Sequence, residues 1–212
     1  MRRLSLIAWL MATVVSGACS KPEPAPAATA TPAAAAPTAA ASASNTGRIV
    51  GTVQASGTAV VVLEPKVARA FPPQSERPVM DQVSLTFGPD LLFVRTGQPA
   101  EFRNSDDVLH NVNVKHEETR EQAFNVAIPT GGTYEYTFGR DGFYRVGCDI
   151  HPAMTASIFA ATTPFTTLAA SDGSFAFDDV PPGPWTVTVY TGGKRLHKDV
   201  DVKGGVTAVT VE

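Results

Sequence analysis

Little in this chain invites a nucleic-acid partner, a membrane span or a helical core. Lysine and arginine number 17 against 20 acids, a formal charge of -3 that leaves no basic footprint for a phosphate backbone. No nucleic acid is expected as a partner. The apolar N-terminal stretch, residues 4–15, falls well short of the ~20 residues a helix needs to cross a bilayer. Apolar residues at helical spacing are nearly missing, and only residues 117–124 read as a helical turn or two. The His-Glu-x-x-His pattern of zinc proteases does not occur. Cysteine is scarcer still: with only Cys19 and Cys148, a disulfide framework reduces to one bridge at most.

What is present begins with an address. Residues 1–18 open on Arg2 and Arg3, run through apolar residues and close on Ser16, Gly17 and Ala18, the layout of an export signal. Its removal deletes two arginines and takes the charge from -3 to -5. The junction Ser-Gly-Ala-Cys19 resembles the lipobox of bacterial lipoproteins, in which the cysteine is acylated and becomes the mature N-terminus. Ser16 stands where leucine is usual, so cleavage after Ala18 is the alternative. Lipidation of Cys19 implies a periplasmic or cell-surface protein, in contact with a bacterial membrane only through that anchor. Residues 21–46 contain no aromatic and no large aliphatic side chain, and five prolines interrupt their alanines. Such a segment cannot offset its ordering entropy by burial, so residues 19–46 are expected to be a tether.

From residue 47 onward the pattern is that of an all-β protein, with short alternating runs between turn residues. Val83, Leu85 and Phe87 alternate as one strand before Gly88-Pro89-Asp90; Ala100 and Phe102, Tyr134 and Tyr136, and residues 143–148 and 155–160 follow. Seven or so strands in about eighty residues suggest a small β-sandwich over 78–162. Around it, Ile49, Val53 and residues 60–63 on one side, and Phe175, Phe177, Trp185, Val187 and Val189 on the other, predict a second sandwich from 47–77 and 163–212 into which the first is inserted.

Cys148, His151 and Met154 form a Cys-x2-His-x2-Met motif on the connection between two apolar runs. If Cys19 is lipidated, Cys148 has no partner, and an idle thiol in an oxidising compartment is a liability unless a metal occupies it. Thiolate, imidazole and thioether are the donors of a blue-copper site, which needs a second imidazole. His110, at the start of a strand in the same sandwich, is the best supply. Soft sulfur suits Cu(I) and imidazole suits Cu(II), so a rigid frame around both serves one-electron transfer.

On His110-Asn111 together with residues 148–154, the chain resembles the cupredoxins, most closely the plastocyanin and amicyanin group, over roughly residues 80–161. The resemblance implies a Greek-key β-sandwich and one type 1 copper held by His110, Cys148, His151 and Met154. It further implies that Asn111 ties the two ligand-bearing segments together, and that an apolar patch around His151 passes electrons. The flanks, through residues 47–53, 172–177 and 180–183, resemble the carboxypeptidase regulatory-like modules, which are transthyretin-like sandwiches. The chain also resembles bacterial proteins sometimes labelled as methylamine-utilisation proteins.

Plainer readings stand beside these. A lone cysteine is most often a small buried hydrophobe, and a lone methionine a core filler. Met80 is the only other methionine after the signal, which weakens that reading for Met154. His116 and His197 read as solvated, Trp185, Phe175 and Phe177 as core, and Asp178-Asp179 as a turn. The expected function is an electron carrier, a monomer and not an enzyme, whose partner is a redox protein such as a dehydrogenase or cytochrome. A copper store or chaperone, or an adhesion module with incidental copper, are the alternatives. An oxidase fits poorly, because multicopper enzymes need extra histidines, often as His-x-His, and none occurs.

Overall fold

Every regular element in the computed structural model, which describes residues 45–55 and 57–212, is a β-strand. The signal, Cys19 and nearly all of the tether lie outside the described residues. The described residues belong to one compact unit.

Two sheets enclose the central core. In one, β4 (Thr86–Gly88), β3 (Val79–Val83), β6 (Pro99–Asn104) and β9 (Thr133–Thr137) lie side by side. The other has five strands in the order β5 (Leu91–Arg95), β11 (Thr155–Ala161), β10 (Gly142–Gly147), β7 (His110–His116) and β8 (Gln122–Ile128). Alternation decides which side chains face inward: Ala100 and Phe102 from β6, Val112 and Val114 from β7, and Tyr144 and Val146 from β10 are all buried. Phe124 packs its ring against Phe102, Tyr134 and Tyr136 at 4.6–5.1 Å between centroids. Edge-on and tilted pairs of this kind contribute roughly 0.5–1.5 kcal/mol each beyond their area.

The second core lies between β13 (Ser174–Val180), β1 (Gly47–Val53) and β16 (Gly205–Val211) on one side and β12 (Thr166–Leu168), β2 (Ala59–Pro65), β14 (Gly183–Thr191) and β15 (Lys194–Val202) on the other. The chain thus leaves this pair of sheets after β2 and re-enters it at β12. Trp185, Val187 and Val189 point inward with Val61 and Leu63, and the Trp185 indole N–H donates to the Pro181 carbonyl at 3.0 Å. Strand β2 is apolar without alternation because both its faces are covered. Its other side, Val60 and Val62, meets Phe159 and Ala161 of β11, with Phe93, Phe143 and Tyr190 around them. This third cluster joins the two sandwiches.

Three local expectations are corrected. Residues 83–87 are a hairpin tip and not one strand, since Ser84 and Leu85 both have positive φ (54° and 58°), the backbone of a type I′ two-residue turn. Residues 117–124 are not helical: Gln122 and Phe124 pair with Lys115 and Val114 of β7, and burying Phe124 in the core outweighs any helical preference of the acids before it. The pair Asp178-Asp179 stands within β13, where two residues oppose Arg48 alone in a β-bulge, and Arg48 bridges to Asp178 at 3.2 Å.

Candidate metal centre

Register brings the first two residues of interest together. In the antiparallel pair β7 and β10, Val114 lies opposite Val146 and Asn113 opposite Gly147. One step beyond the ladder, Cys148 continues the inward face of Tyr144 and Val146, while His110 continues that of Val112 and Val114. They become diagonal neighbours at one end of the sandwich. The loop between β10 and β11 then turns back on itself: Met154 N–H donates to the His151 carbonyl at 2.9 Å and Cys148 N–H to the Met154 carbonyl at 3.2 Å. This fold carries His151 over the end of the sheet.

Three donor atoms converge there. Cys148 Sγ lies 3.9 Å from His110 Nδ1 and 3.8 Å from His151 Nδ1, and the two nitrogens are 3.0 Å apart. A point equidistant from the corners of that triangle lies about 2.1 Å from each, within the ~2.0–2.3 Å that nitrogen and sulfur ligands keep from a first-row divalent ion. The residues therefore fit a metal ion. Thiolate and imidazole are the donors that copper and zinc take, and Met154 is buried at the end of the same loop. His110 is fully buried, Cys148 and Met154 nearly so, and His151 is half-buried. Exposed apolar residues, Leu109 and Ile150 among them, adjoin the two histidines in the chain, as do Pro152 and Ala153.

Asn111 faces the other way and closes the site from behind. Its side-chain oxygen accepts the Asp149 N–H at 2.7 Å and the Cys148 thiol at 3.3 Å, tying the start of β7 to the loop after β10. Ionised, Cys148 cannot donate, and accepts instead from the His151 N–H at 3.4 Å. The Asn111 amide donates to Asp149, as do those of Asn113 and Asn125 at 2.9–3.1 Å. The amides of Asn113, Asn125 and Asn111 hold the Asp149 carboxyl below its ordinary value.

Asp149 was not singled out from sequence, nor were Asn104, Asn113, Asn125 and Asp106. The alternation Asn111-x-Asn113, which sets two amides on one outer face beside the residue after Cys148, is the signal by which the clasp could have been found. Asn104, fully buried, donates to the carbonyls of Val108 and Ile128 at 2.9 and 2.8 Å, and so shapes the loop before His110. On that loop Asp106 reaches His110 Nε2 at 2.8 Å. The N–H groups of Leu85 and Ser84, with His110, hold its carboxyl below the usual range. His116 corrects an expectation: it is buried, its Nδ1 accepting from Thr119 N–H at 3.1 Å and its Nε2 3.2 Å from the Asp141 carbonyl. The strand alternation that turns His110 inward turns His116 inward too, six positions on. His197 is exposed.

A two-sheet β-sandwich with a Cys-His-His cluster at one end, its donors shared between a strand start and a single loop, defines a cupredoxin domain. Residues 76–159 match the family model for copper binding proteins, plastocyanin/azurin family, and that segment is a domain of this copper-binding family. Among solved structures, the chain is similar to the novel purple cupredoxin from Nitrosopumilus maritimus, at 21% identity and a TM-score of 0.36 over 40% of this chain and 99% of that one. Amicyanin from Paracoccus versutus is 18% identical, TM-score 0.37, over 42% and 84%. The copper-containing nitrite reductase from Thermus scotoductus SA-01 is 25% identical, TM-score 0.38, over 46% of this chain and 25% of its own. No curated protein matches the chain.

Proposed function

We propose that the domain is a type 1 copper electron carrier, with one copper ion held by His110 Nδ1, Cys148 Sγ and His151 Nδ1 and the Met154 thioether as the fourth, weaker donor. The observation that carries this reading is the triangle of three donor atoms around one point at metal-binding distance. Bound copper supplies a single-electron couple. The chain's own residues do the rest. Strands β7 and β10 fix His110 and Cys148 on a packed sheet, and the two backbone bonds within the loop fix His151. Asn111 locks one segment to the other, so the donor atoms have little freedom to follow a change of charge. A scaffold held in this way keeps the rearrangement on electron transfer small.

His151, half-buried, stands where the site meets solvent. Leu109, Ile150, Pro152 and Ala153 make an apolar surface beside it for brief docking of a redox protein such as a dehydrogenase or cytochrome. Catalysis is not part of the proposal: the chain's four histidines leave no second cluster of the His-x-His kind that oxidases use. The export signal and Cys19 support an extracytoplasmic, lipid-anchored protein.

The test is a visible spectrum of the purified chain after addition of Cu(II). An intense thiolate-to-copper band, lost in Cys148→Ser, is the expected result. A faint band like that of ordinary copper complexes indicates a store or chaperone, and colour that survives without Cys148 overturns the assignment.

A further inference from the structure

We propose that Asp106 is the positioning residue of the metal centre: its carboxylate holds His110 as the Nε2–H tautomer with Nδ1 turned to the site, and its charge lowers the reduction potential. This inference rests on the copper reading above. It begins with the ring of His110, which is fully buried. The partner of that nitrogen is Asp106 Oδ2 at 2.8 Å. An ionised carboxylate only accepts, so Nε2 must carry the hydrogen, and Nδ1 is left with its lone pair facing Cys148 Sγ and His151 Nδ1. A carboxylate on the far nitrogen of a metal-bound imidazole also makes the ring a stronger donor. Negative charge behind the ring favours the more highly charged Cu(II) over Cu(I).

The carboxylate is itself immobilised from three directions. Its Oδ1 accepts the Ser84 N–H at 2.7 Å, and its Oδ2 accepts the Leu85 N–H at 2.9 Å besides His110. Its own backbone N–H donates to the buried Asn104 at 3.0 Å. The two amides belong to the type I′ tip of the β3–β4 hairpin, where positive φ is met by serine and leucine and not by the asparagine and glycine such turns prefer. The hairpin tip and the metal ligand therefore share one anion. A role confined to the turn would need no bond to His110, and a role confined to His110 would need neither amide.

Three variants of the full chain separate these roles. Asp106→Asn keeps an acceptor for Nε2–H and removes the charge; Asp106→Ala removes both. The third adds Ser84→Asn and Leu85→Gly to Asp106→Asn, so that the turn no longer depends on the carboxylate. Nitrogen-15 NMR of the metal-free protein reads the tautomer of His110, and redox titration of the copper-loaded protein reads the potential. The expected results are a retained Nε2–H tautomer in Asp106→Asn, a mixture in Asp106→Ala, and a potential raised in all three. Loss of an outer partner commonly weakens binding by about 10–100-fold, and that loss falling on Cu(II) alone corresponds to roughly 60–120 mV. An unchanged potential in folded Asp106→Asn sinks the proposal, and so does recovery of the wild-type potential in the third variant, since the hairpin alone would then be responsible. A wild-type chain that takes up no copper defeats the function proposed above, whereas the tautomer in metal-free protein still decides what Asp106 does to His110.

Discussion

The two sandwiches are built from the same alternating strands, yet they differ in what they bury. The flanking sandwich closes on Ile49, Leu63, Trp185, Val187, Val189 and their neighbours, and Thr188 is the buried polar side chain on its strands. The other buries Gln82, Asn104, His110, Asn111 and His116, amides and imidazoles that cost about 1–3 kcal/mol each if left without partners. His110 and His116 stand at the two ends of β7, and at the first His110 turns Nδ1 to a point it shares with Cys148 Sγ and His151 Nδ1. On the function proposed above, the sandwich with more buried polarity is the one that does chemistry and the other supports it.

That contrast can be broken at several places. Trp185→Ala is expected to have the largest effect on stability, about 3–5 kcal/mol in denaturant titration, because it empties a fully buried site. The copper band of the protein still folded should be unaltered; a shifted band would mean that the flanking core shapes the metal site. Cys148→Ser should cost less, about 1–3 kcal/mol for a buried hydroxyl with poor partners, while abolishing the thiolate band. Equal or greater loss of stability than in Trp185→Ala would reverse the division between chemistry and support. Met154→Leu conserves volume and is expected to cost under about 1.5 kcal/mol. Its signature is a higher reduction potential in a protein that stays coloured, measured by redox titration, and an unchanged potential would remove the thioether from the donor set.

The weakest contrast concerns acid. Asp149 in one sandwich, and Asp172 and Asp199 in the other, have carboxyls held below the ordinary value, by the amide of Asn113, the hydroxyl of Ser174 and the ammonium of Lys66 respectively. A group whose folded value is depressed contributes stability above its unfolded value of about 3.9, and that contribution is lost as pH falls through the folded value. Both sandwiches should therefore lose a little stability together below about pH 4. All three carboxylates are exposed, so the loss is small, and a thermal melt in which one region alone becomes acid-sensitive would separate the two.

Much of the architecture was legible because alternation at period two survives in Phe102, Val112, Tyr144 and Trp185, where one face of each strand is buried. Reading failed where local signals compete with tertiary ones. Val83, Leu85 and Phe87 alternate like a strand, but the chain reverses at Ser84-Leu85 because Asp106, twenty-odd residues away, supplies an acceptor for the turn. Residues 117–124 carry acids suited to a helix, but Phe124 finds its place in the core only from β8. His116 reads as solvated beside two glutamates, but its place on the inner face of β7 buries it.

The site divides in the same way. Cys148, His151 and Met154 stand out by their spacing along one loop, and thiol, imidazole and thioether are donor types whatever the fold. By its residues alone the sequence determined an all-β chain, a short sulfur-rich loop and the chemical softness of whatever that loop could hold. The triangle of donors was decided by the register of β7 against β10, and the surroundings of His110 by a loop that returns Asp106 to it. Spacing along a chain is a local property, whereas the distance between two strands and the acceptor behind a buried ring depend on how distant segments pack.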